Sequence, residues 1–303
     1  MSSYIRPRTL EELLEVLENA GGEAKVLAGG TDLMLAIRAG KPVGTLVNVS
    51  RIESLGRISV ESRTSVESKQ GTEQTLGGEV VKVGSGVTVA RLLRSEEIRT
   101  RAPLLWKAAD RFASPLVRSR ATVGGNLGNA SPAADLSLAL LALDATVELA
   151  KGGARRTLSI DQFFRGPGRT VLEPGEVVIG VSFPTQREPL STFQKSGPRP
   201  ALEIAVASVA MRLELQKGRV VFARVAYGAV APTPLRGYGV EAAIVDRPLT
   251  DDLVEEAARA AVREIRPIDD VRATATYRRR LIGAYVHRAL SDARVSAERS
   301  IHV

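Results

Sequence analysis

The chain has 303 residues, enough for two or three modest domains built around real cores. It contains no cysteine, and its only histidines are His287 and His302. This excludes disulfides, thiolate nucleophiles and cysteine-ligated zinc or iron–sulfur centres, and leaves metal or triad chemistry to His287 alone. The net charge of +8 admits nucleic acid, an acidic partner or an anionic ligand, but aromatics at 4% supply few stacking platforms for bases, and no apolar run reaches the roughly 18 residues of a membrane span.

The N-terminus reaches acidic residues early and shows no apolar signal core, so a cytoplasmic protein is expected. In "TLEELLEVLENAGG", Leu10, Leu13, Leu14 and Leu17 share one helical face, Thr9 and Glu12 have capping-box spacing, and Gly21-Gly22 supplies a stop. "KVLA" then reads as a strand, a short helix starts on Thr31 or Asp32, and "TLVNVS" is another strand. Residues 61–79 are polar and read as an exposed hairpin or flexible loop. "VVKVGSGVT" is a strand and turn, "VARLLRS" a short helix, and "APLLWKAADRFAS" a longer one burying Leu104, Leu105 and Ala108, with Trp106 in a packing role.

Apolar "ATV" leads into Gly124-Gly125-Asn126 and a loop of small residues. A long helix is expected to open near Pro132, with Ser131 as its cap, and to run through Leu143. "ATVELA" and "EVVIGVSFP" are strand-like. After Pro184 three strands ("STFQKS", "EIAVASVAMRLEL", "RVVFARVAYGAVAP") precede two helices, a third module of α+β type. The Arg278-Arg279-Arg280 run lies in the second of these helices and reads as a solvated face; His287, in the same helix, reads as a surface or packing residue.

Two glycine stretches stand out. "LAGGTDLM" and "RATVGGN" each follow an apolar run and carry small polar residues just after the glycines. Glycine permits positive φ and close approach while leaving N–H donors that can form an anion-binding nest. Either stretch alone is also compatible with a structural turn. Two of them converging would suit the pyrophosphate of a dinucleotide. Neither is G-x-G-x-x-G, and no G-x-x-x-x-G-K-[ST] loop exists, which argues against an ordinary NAD fingerprint and against an ATPase.

Taken in order, "LAGGTDLM", "RATVGGNLGNASPAADL" and "TFQKSGPRPALEIAVASVAMRL" resemble the FAD-binding subunit of molybdenum hydroxylases, over nearly the whole chain. This family, of the carbon monoxide dehydrogenase and xanthine dehydrogenase type, has the p-cresol-methylhydroxylase kind of flavin fold. The resemblance implies an α+β chain in three parts: a small β/α subdomain over 1–50, a larger α+β subdomain over 51–184, and a C-terminal α+β domain over 185–303 with a three-stranded antiparallel sheet. It implies that Leu27, Ala28, Gly29, Gly30, Thr31, Asp32, Leu33 and Met34 wrap the FAD pyrophosphate, chiefly through backbone N–H groups. Thr122, Val123, Gly124, Gly125 and Asn126 would form the opposing loop. Asp135 would hydrogen-bond a polar part of the cofactor, and Val178 stands where the family often has a leucine against the flavin. Lys195 matches a lysine near the flavin ring; by itself it reads equally as a surface lysine on an edge strand, and Asp135 as a helix-N-terminal acid.

The resemblance further implies an oxidoreductase subunit with no catalytic residue of its own. Electrons would arrive from the iron–sulfur clusters of a small subunit, fed by a large molybdopterin subunit, and leave to an external acceptor; the assembly would be a dimer of heterotrimers. No His or Cys flanks either glycine stretch to anchor a flavin covalently. Beside this reading stand a self-sufficient flavin oxidoreductase of the same fold and a basic nucleotide- or nucleic-acid-binding module.

Overall fold

The computed structural model describes residues 3–62, 78–185, 190–197 and 204–301. Most of the polar stretch read as a hairpin or loop, residues 63–77, lies outside the described residues.

The chain begins with β1 (Ser3–Ile5), α1 (Leu10–Asn19), β2 (Ala24–Leu27), α2 (Leu33–Arg38) and β3 (Thr45–Asn48), in which β1 and β2 both pair parallel to β3. The α1 start follows its sequence: Thr9 Oγ1 accepts the Glu12 amide at 3.1 Å, while the Glu12 carboxylate accepts the Arg8 amide at 2.7 Å. The leucine face of α1 is buried against Val47, Val49 and Ile52, and also against Val177 and Ile179 of the next sheet.

The middle of the chain runs through β4 (Ile58–Ser62), β5 (Glu79–Gly84) and five short helices: α3 (Val89–Arg94), α4 (Glu96–Arg101), α5 (Pro103–Asp110), α6 (Pro115–Arg118) and α7 (Val123–Asn129). Then come α8 (Asp135–Ala142), β6 (Thr146–Lys151), β7 (Ala154–Ser159), the small hairpin β8 (Phe164–Gly166) and β9 (Arg169–Thr170), and β10 (Val177–Pro184). Five of these strands form an antiparallel sheet ordered β4-β5-β10-β6-β7. Leu104, Leu105 and Ala108 are buried as expected, and the Trp106 indole is half-buried, donating to the Leu93 carbonyl at 3.2 Å.

Two local readings are corrected here. The second glycine stretch is not a loop but α7 itself: the Thr122 hydroxyl caps it, Val123 and Leu127 anchor it in the core, and that burial overrides glycine's poor helix propensity. The next helix starts at Asp135 rather than near Pro132 and ends at Ala142. Ser131 Oγ accepts the Ala133 amide at 3.2 Å in a turn, so Ser131-Pro132 punctuates the approach instead of capping the helix.

The C-terminal part holds β11 (Leu190–Ser196), β12 (Ala207–Gln216), β13 (Arg219–Gly228), β14 (Leu235–Arg236), α9 (Tyr238–Ile244), α10 (Asp251–Glu264) and α11 (Ala275–Ile301). Its antiparallel sheet has four strands, β11-β12-β13-β14, not three. The fourth is two residues long and follows Pro232 and Pro234, too short to leave an alternation pattern in sequence. Arg278 also departs from expectation. It is buried, donates to the Val206 and Ala229 carbonyls at 2.9 and 2.7 Å, and pairs with Asp270, so only its neighbours in the arginine run face outward. His287 is exposed.

All eight residues of α8 are buried, and its contacts run to α5 on one side and to β12 and β13 on the other. This one helix is thus shared between the middle core and the C-terminal sheet. Charged residues of that sheet meet both its ends: Lys195 reaches Asp135 at the first residue, and Arg236 reaches the Leu141 carbonyl and Asp144 just past the last. An acid at the N-terminus and cations at the C-terminus is the arrangement the helix dipole favours.

Candidate functional site

Where β2 ends, the Leu27 carbonyl accepts the Val49 amide at 3.0 Å, and the chain turns through Ala28-Gly29-Gly30-Thr31 into α2. A Cβ on Gly29 would stand 2.0 Å from the Arg120 carbonyl oxygen, so the backbones before α2 and before α7 touch here and leave room for no side chain. Gly30 has φ +78, a conformation glycine adopts freely. The carbonyls of Gly30 and Asp32 accept from the Met34 and Ala36 amides. Among the described residues, the amides of Gly29, Gly30, Thr31 and Asp32 donate to no protein acceptor, four successive N–H groups in one turn. Such a run is the backbone requirement of an anion nest.

The second stretch is built differently. Its amides are already used: Val123 donates to the Val87 carbonyl (3.0 Å), Gly124 to the Ser85 carbonyl (2.8 Å), Gly125 to Thr122 Oγ1 (3.1 Å) and Asn126 to the Thr122 carbonyl (2.9 Å). A Cβ on Gly124 would meet the Ser85 Cβ at 2.6 Å, so this glycine serves packing against the β5–α3 turn. Gly125 and Gly128 are exposed, and a Cβ on Gly128 would meet nothing within 4 Å. What this stretch offers a ligand is clearance. The Asn126 Oδ1 accepts from the Ser137 amide and hydroxyl at 3.1 and 3.0 Å, which ties α7 to α8, while among the described residues its Nδ2 has no protein acceptor.

Between the two stretches lies a cleft of about 650 Å³. Twelve of the sixteen residues singled out in the sequence line it: Ala28 to Leu33, Thr122, Gly124, Gly125, Asn126, Asp135 and Val178. The other four stand behind its walls. Leu27 and Met34 pack under Gly30, each with a side-chain atom 3.1 Å from where its Cβ would be. Val123 is buried in the core. Lys195 pairs with Asp135, Nζ to Oδ2 2.7 Å, both side chains nearly solvent-free. Lys195 is therefore not the surface lysine that an edge strand suggests. A bulge in β10 at Ile179, whose carbonyl accepts the Ser85 amide at 3.0 Å, accompanies the presentation of Val178 to the cleft.

The walls also include residues that carry no sequence signal of their own. Lys25 and Lys41 bring positive charge beside the first glycine stretch, Phe112 and Ile204 bring apolar surface, and Asn129 and Ser131 bring polar atoms. Glu176 lines the cleft but is engaged: Arg156 grips both its carboxylate oxygens at 2.7 Å, and the Glu173 amide donates at 3.1 Å. Burial pushes its pKa up, but the Arg156 hydrogen bonds and the Glu173 amide outweigh this and hold it below the usual carboxylate value. A second depression, about 840 Å³ among Arg8, Arg51, Arg57, Lys82 and Arg155, is rimmed by mixed charge and touches neither glycine stretch.

Comparison with known families shows what the chain is similar to. The family described as the FAD binding domain in molybdopterin dehydrogenase matches residues 1–186, and the CO dehydrogenase flavoprotein C-terminal domain matches residues 191–293. The chain belongs to this flavoprotein family. It is similar to the carbon monoxide dehydrogenase medium chain of Hydrogenophaga pseudoflava, at 30% identity over 96% of each chain. It is also similar to the glyceraldehyde dehydrogenase medium chain of Sulfolobus acidocaldarius, at 29% identity over 96% of this chain and 97% of the other. The solved structure of the Hydrogenophaga pseudoflava carbon monoxide dehydrogenase superposes with a TM-score of 0.87 at 30% identity, covering 96% of this chain and 97% of that one.

This flavoprotein is thus an FAD-binding medium subunit of the molybdenum hydroxylase family, and an oxidoreductase component. Its residues fit FAD on their own geometry. The four unassigned amides suit a pyrophosphate, the bare Gly125 and Gly128 leave it space, and the apolar walls suit an isoalloxazine ring. Among the described residues no helix is long and apolar enough to cross a membrane, and no group of His, Cys, Asp and Glu could hold a metal ion.

Proposed function

We propose that this chain carries electrons within a heteromeric molybdenum hydroxylase, receiving them from a small iron–sulfur subunit beside a large molybdopterin subunit and passing them to an external acceptor. The observation that carries the reading is the row of four amides, Gly29 to Asp32, with no acceptor among the described residues, in the cleft wall across from Gly124, Gly125 and Gly128 of α7. When bound, the flavin supplies the redox chemistry, accepting and releasing electrons singly or in pairs. The protein binds and orients. Gly29–Asp32 would hold the pyrophosphate through N–H groups, and the Thr122 hydroxyl and Gly125 would bound it opposite. Asp135 would meet a polar part of the cofactor, and Val178 would pack on the ring. Leu27, Met34 and Val123 would support these groups from behind. The absence of cysteine supports a division of labour in which the clusters belong to another chain. Relatives named for carbon monoxide and glyceraldehyde share this architecture, which supports placing substrate choice outside the chain. We place the complex in the cytoplasm as a dimer of heterotrimers, divided within this chain near residues 50 and 184.

The test is direct. The chain, co-expressed with a cysteine-rich small subunit and a large subunit, should purify with them and show flavin absorbance, with FAD released on denaturation and the flavin band bleached when substrate is added. A complex that assembles, reduces its clusters with substrate and leaves the flavin oxidised would overturn the electron-transfer reading. A complex that forms without taking up FAD would overturn the site.

A further inference from the structure

We propose that Ile268 and Val271 form a preformed apolar knob at the border of the flavin cleft, and that the knob docks the small subunit carrying the iron–sulfur clusters. This rests on the electron-transfer reading above.

The connection from α10 to α11 spans residues 265–274 without helix or strand, longer than helix–helix connections usually are. It contains no glycine, and its backbone is tied at several points. The Arg266 amide donates to the Val230 carbonyl at 2.9 Å, and the Asp270 amide to the Ala273 carbonyl at 3.2 Å. Asp270 Oδ1 accepts the Arg272 and Ala273 amides at 2.8 and 3.2 Å, and Asp269 accepts the Ala275 amide where α11 begins. Asp270 also pairs with buried Arg278, whose guanidinium holds the Val206 and Ala229 carbonyls. A loop fastened in this way has one shape. Yet Ile268 is 70% exposed and Val271 wholly so. Aliphatic side chains held rigidly in water gain nothing for the fold, since no apolar surface is buried. They suit a partner's pocket, which takes up rigid apolar anchors at little ordering cost.

Their place selects the partner. Val206 is two residues from Ile204, which lines the cleft and is itself exposed. The Ala229 amide donates to the Pro132 carbonyl at 2.8 Å, and Pro132 stands between Ser131 and Ala133 of the cleft wall. The loop is therefore braced on segments that border the cleft, with exposed apolar surface both in the wall and on the loop behind it. Electrons pass between cofactors only over short gaps, so the chain that brings clusters to the flavin has to sit against this border. Arg280, exposed in the second turn of α11, has no acid partner among the described residues. The receiving surface is thus an apolar socket with an acidic edge.

The experiment titrates full-length chains with the cluster-loaded small subunit and, separately, with the large subunit. The chains are wild type, Ile268→Asp/Val271→Asp, Val271→Asp and Val295→Asp. Val295 is also exposed, but it lies about 30 Å along α11 from Ala275. The double variant should keep the wild-type melting temperature and flavin content while binding the small subunit at least about 30-fold more weakly, the scale of losing interface anchors. Val271→Asp alone should lose at least about fivefold. Val295→Asp should bind as wild type does, and large-subunit affinity should stay unchanged throughout.

Undiminished small-subunit binding by the double variant would overturn the proposal. So would an equal loss in Val295→Asp, a loss toward the large subunit that matches or exceeds the other, or self-association of the wild-type chain that the double variant abolishes. If the double variant does not fold, Val271→Asp decides, because that side chain is fully exposed. A wild-type chain that holds FAD and binds no small subunit would overturn the electron-transfer reading, and this proposal with it.

Discussion

Gly29 and Gly125 sit second in line from similar apolar runs, yet an added side chain would act differently at each. At Gly29 the Cβ collides with a backbone carbonyl that cannot swing aside. Gly29→Ala should therefore destabilise the protein by about 1–3 kcal/mol or more, lowering the melting temperature and flavin content together. At Gly125 the nearest obstacle is the Thr122 hydroxyl at 3.0 Å, and the position is open to the cleft. Gly125→Val should cost the apoprotein no more than about 1 kcal/mol while abolishing FAD retention. A melt and a flavin absorbance reading on both variants separate the roles; a flavin-replete Gly125→Val would remove the α7 wall from the site. The distinction is not legible in sequence. The atom that Gly29 avoids belongs to Arg120, ninety-one positions away, and spacing alone does not reveal that approach.

At the scale of elements, sequence served best where a residue answers to its near neighbours. The Thr9–Glu12 cap and leucine face of α1, the strands around Val177–Pro184 and the first two C-terminal strands all follow from local pattern. It failed where tertiary packing outvoted propensity. α7 carries three glycines and is a helix because its apolar residues and cap are held by the core; α8 starts three residues past Pro132 because Ser131 spends its hydroxyl on a turn.

The Glu176–Arg156 pair, which joins the segment before β10 to β7, yields a prediction of the same scale. Because the folded pKa of Glu176 is lowered, its stabilisation is fully present above the unfolded carboxylate value and is lost as pH falls through the folded one. Glu176→Gln should cost about 1–2 kcal/mol at neutral pH. The gap between the melting curves of wild type and variant should close between roughly pH 5 and pH 3. A gap that persists into acid would mean that the carboxylate contributes no charge-dependent stability.

For the whole molecule the decisive element is α8, which has no solvent face and belongs to two packed layers at once. Arg236 fastens the C-terminal end of this arrangement, bonded to Glu241, Asp144 and the Leu141 carbonyl while itself buried. Arg236→Met would leave Glu241 with only the looser Arg224 contact at 4.0 Å and the Val225 amide, and should lower unfolding free energy by about 1–3 kcal/mol. Urea denaturation followed by circular dichroism should still show one transition; two separated transitions would mean that the halves do not share a core. The contacts of Arg236 with α8 and its turn are not legible from sequence, since those partners lie more than ninety positions away. Function was read less from composition, which left a nucleic-acid-binding module open, than from the order of the glycine stretches and the segment entering the third domain.

The half-buried Trp106 gains an optical meaning from its place on α5. It is the chain's only tryptophan, and the helix that carries it ends at Asp110, just before Phe112 of the cleft wall. Indole emission overlaps the near-ultraviolet absorption of flavins, so a donor on the helix that leads into the cleft wall should pass excitation to a ring bound there. Apoprotein should glow under excitation at the indole band and darken as FAD enters. The fold thus carries a built-in fluorescence gauge of its own cofactor occupancy, with no second tryptophan to blur the signal.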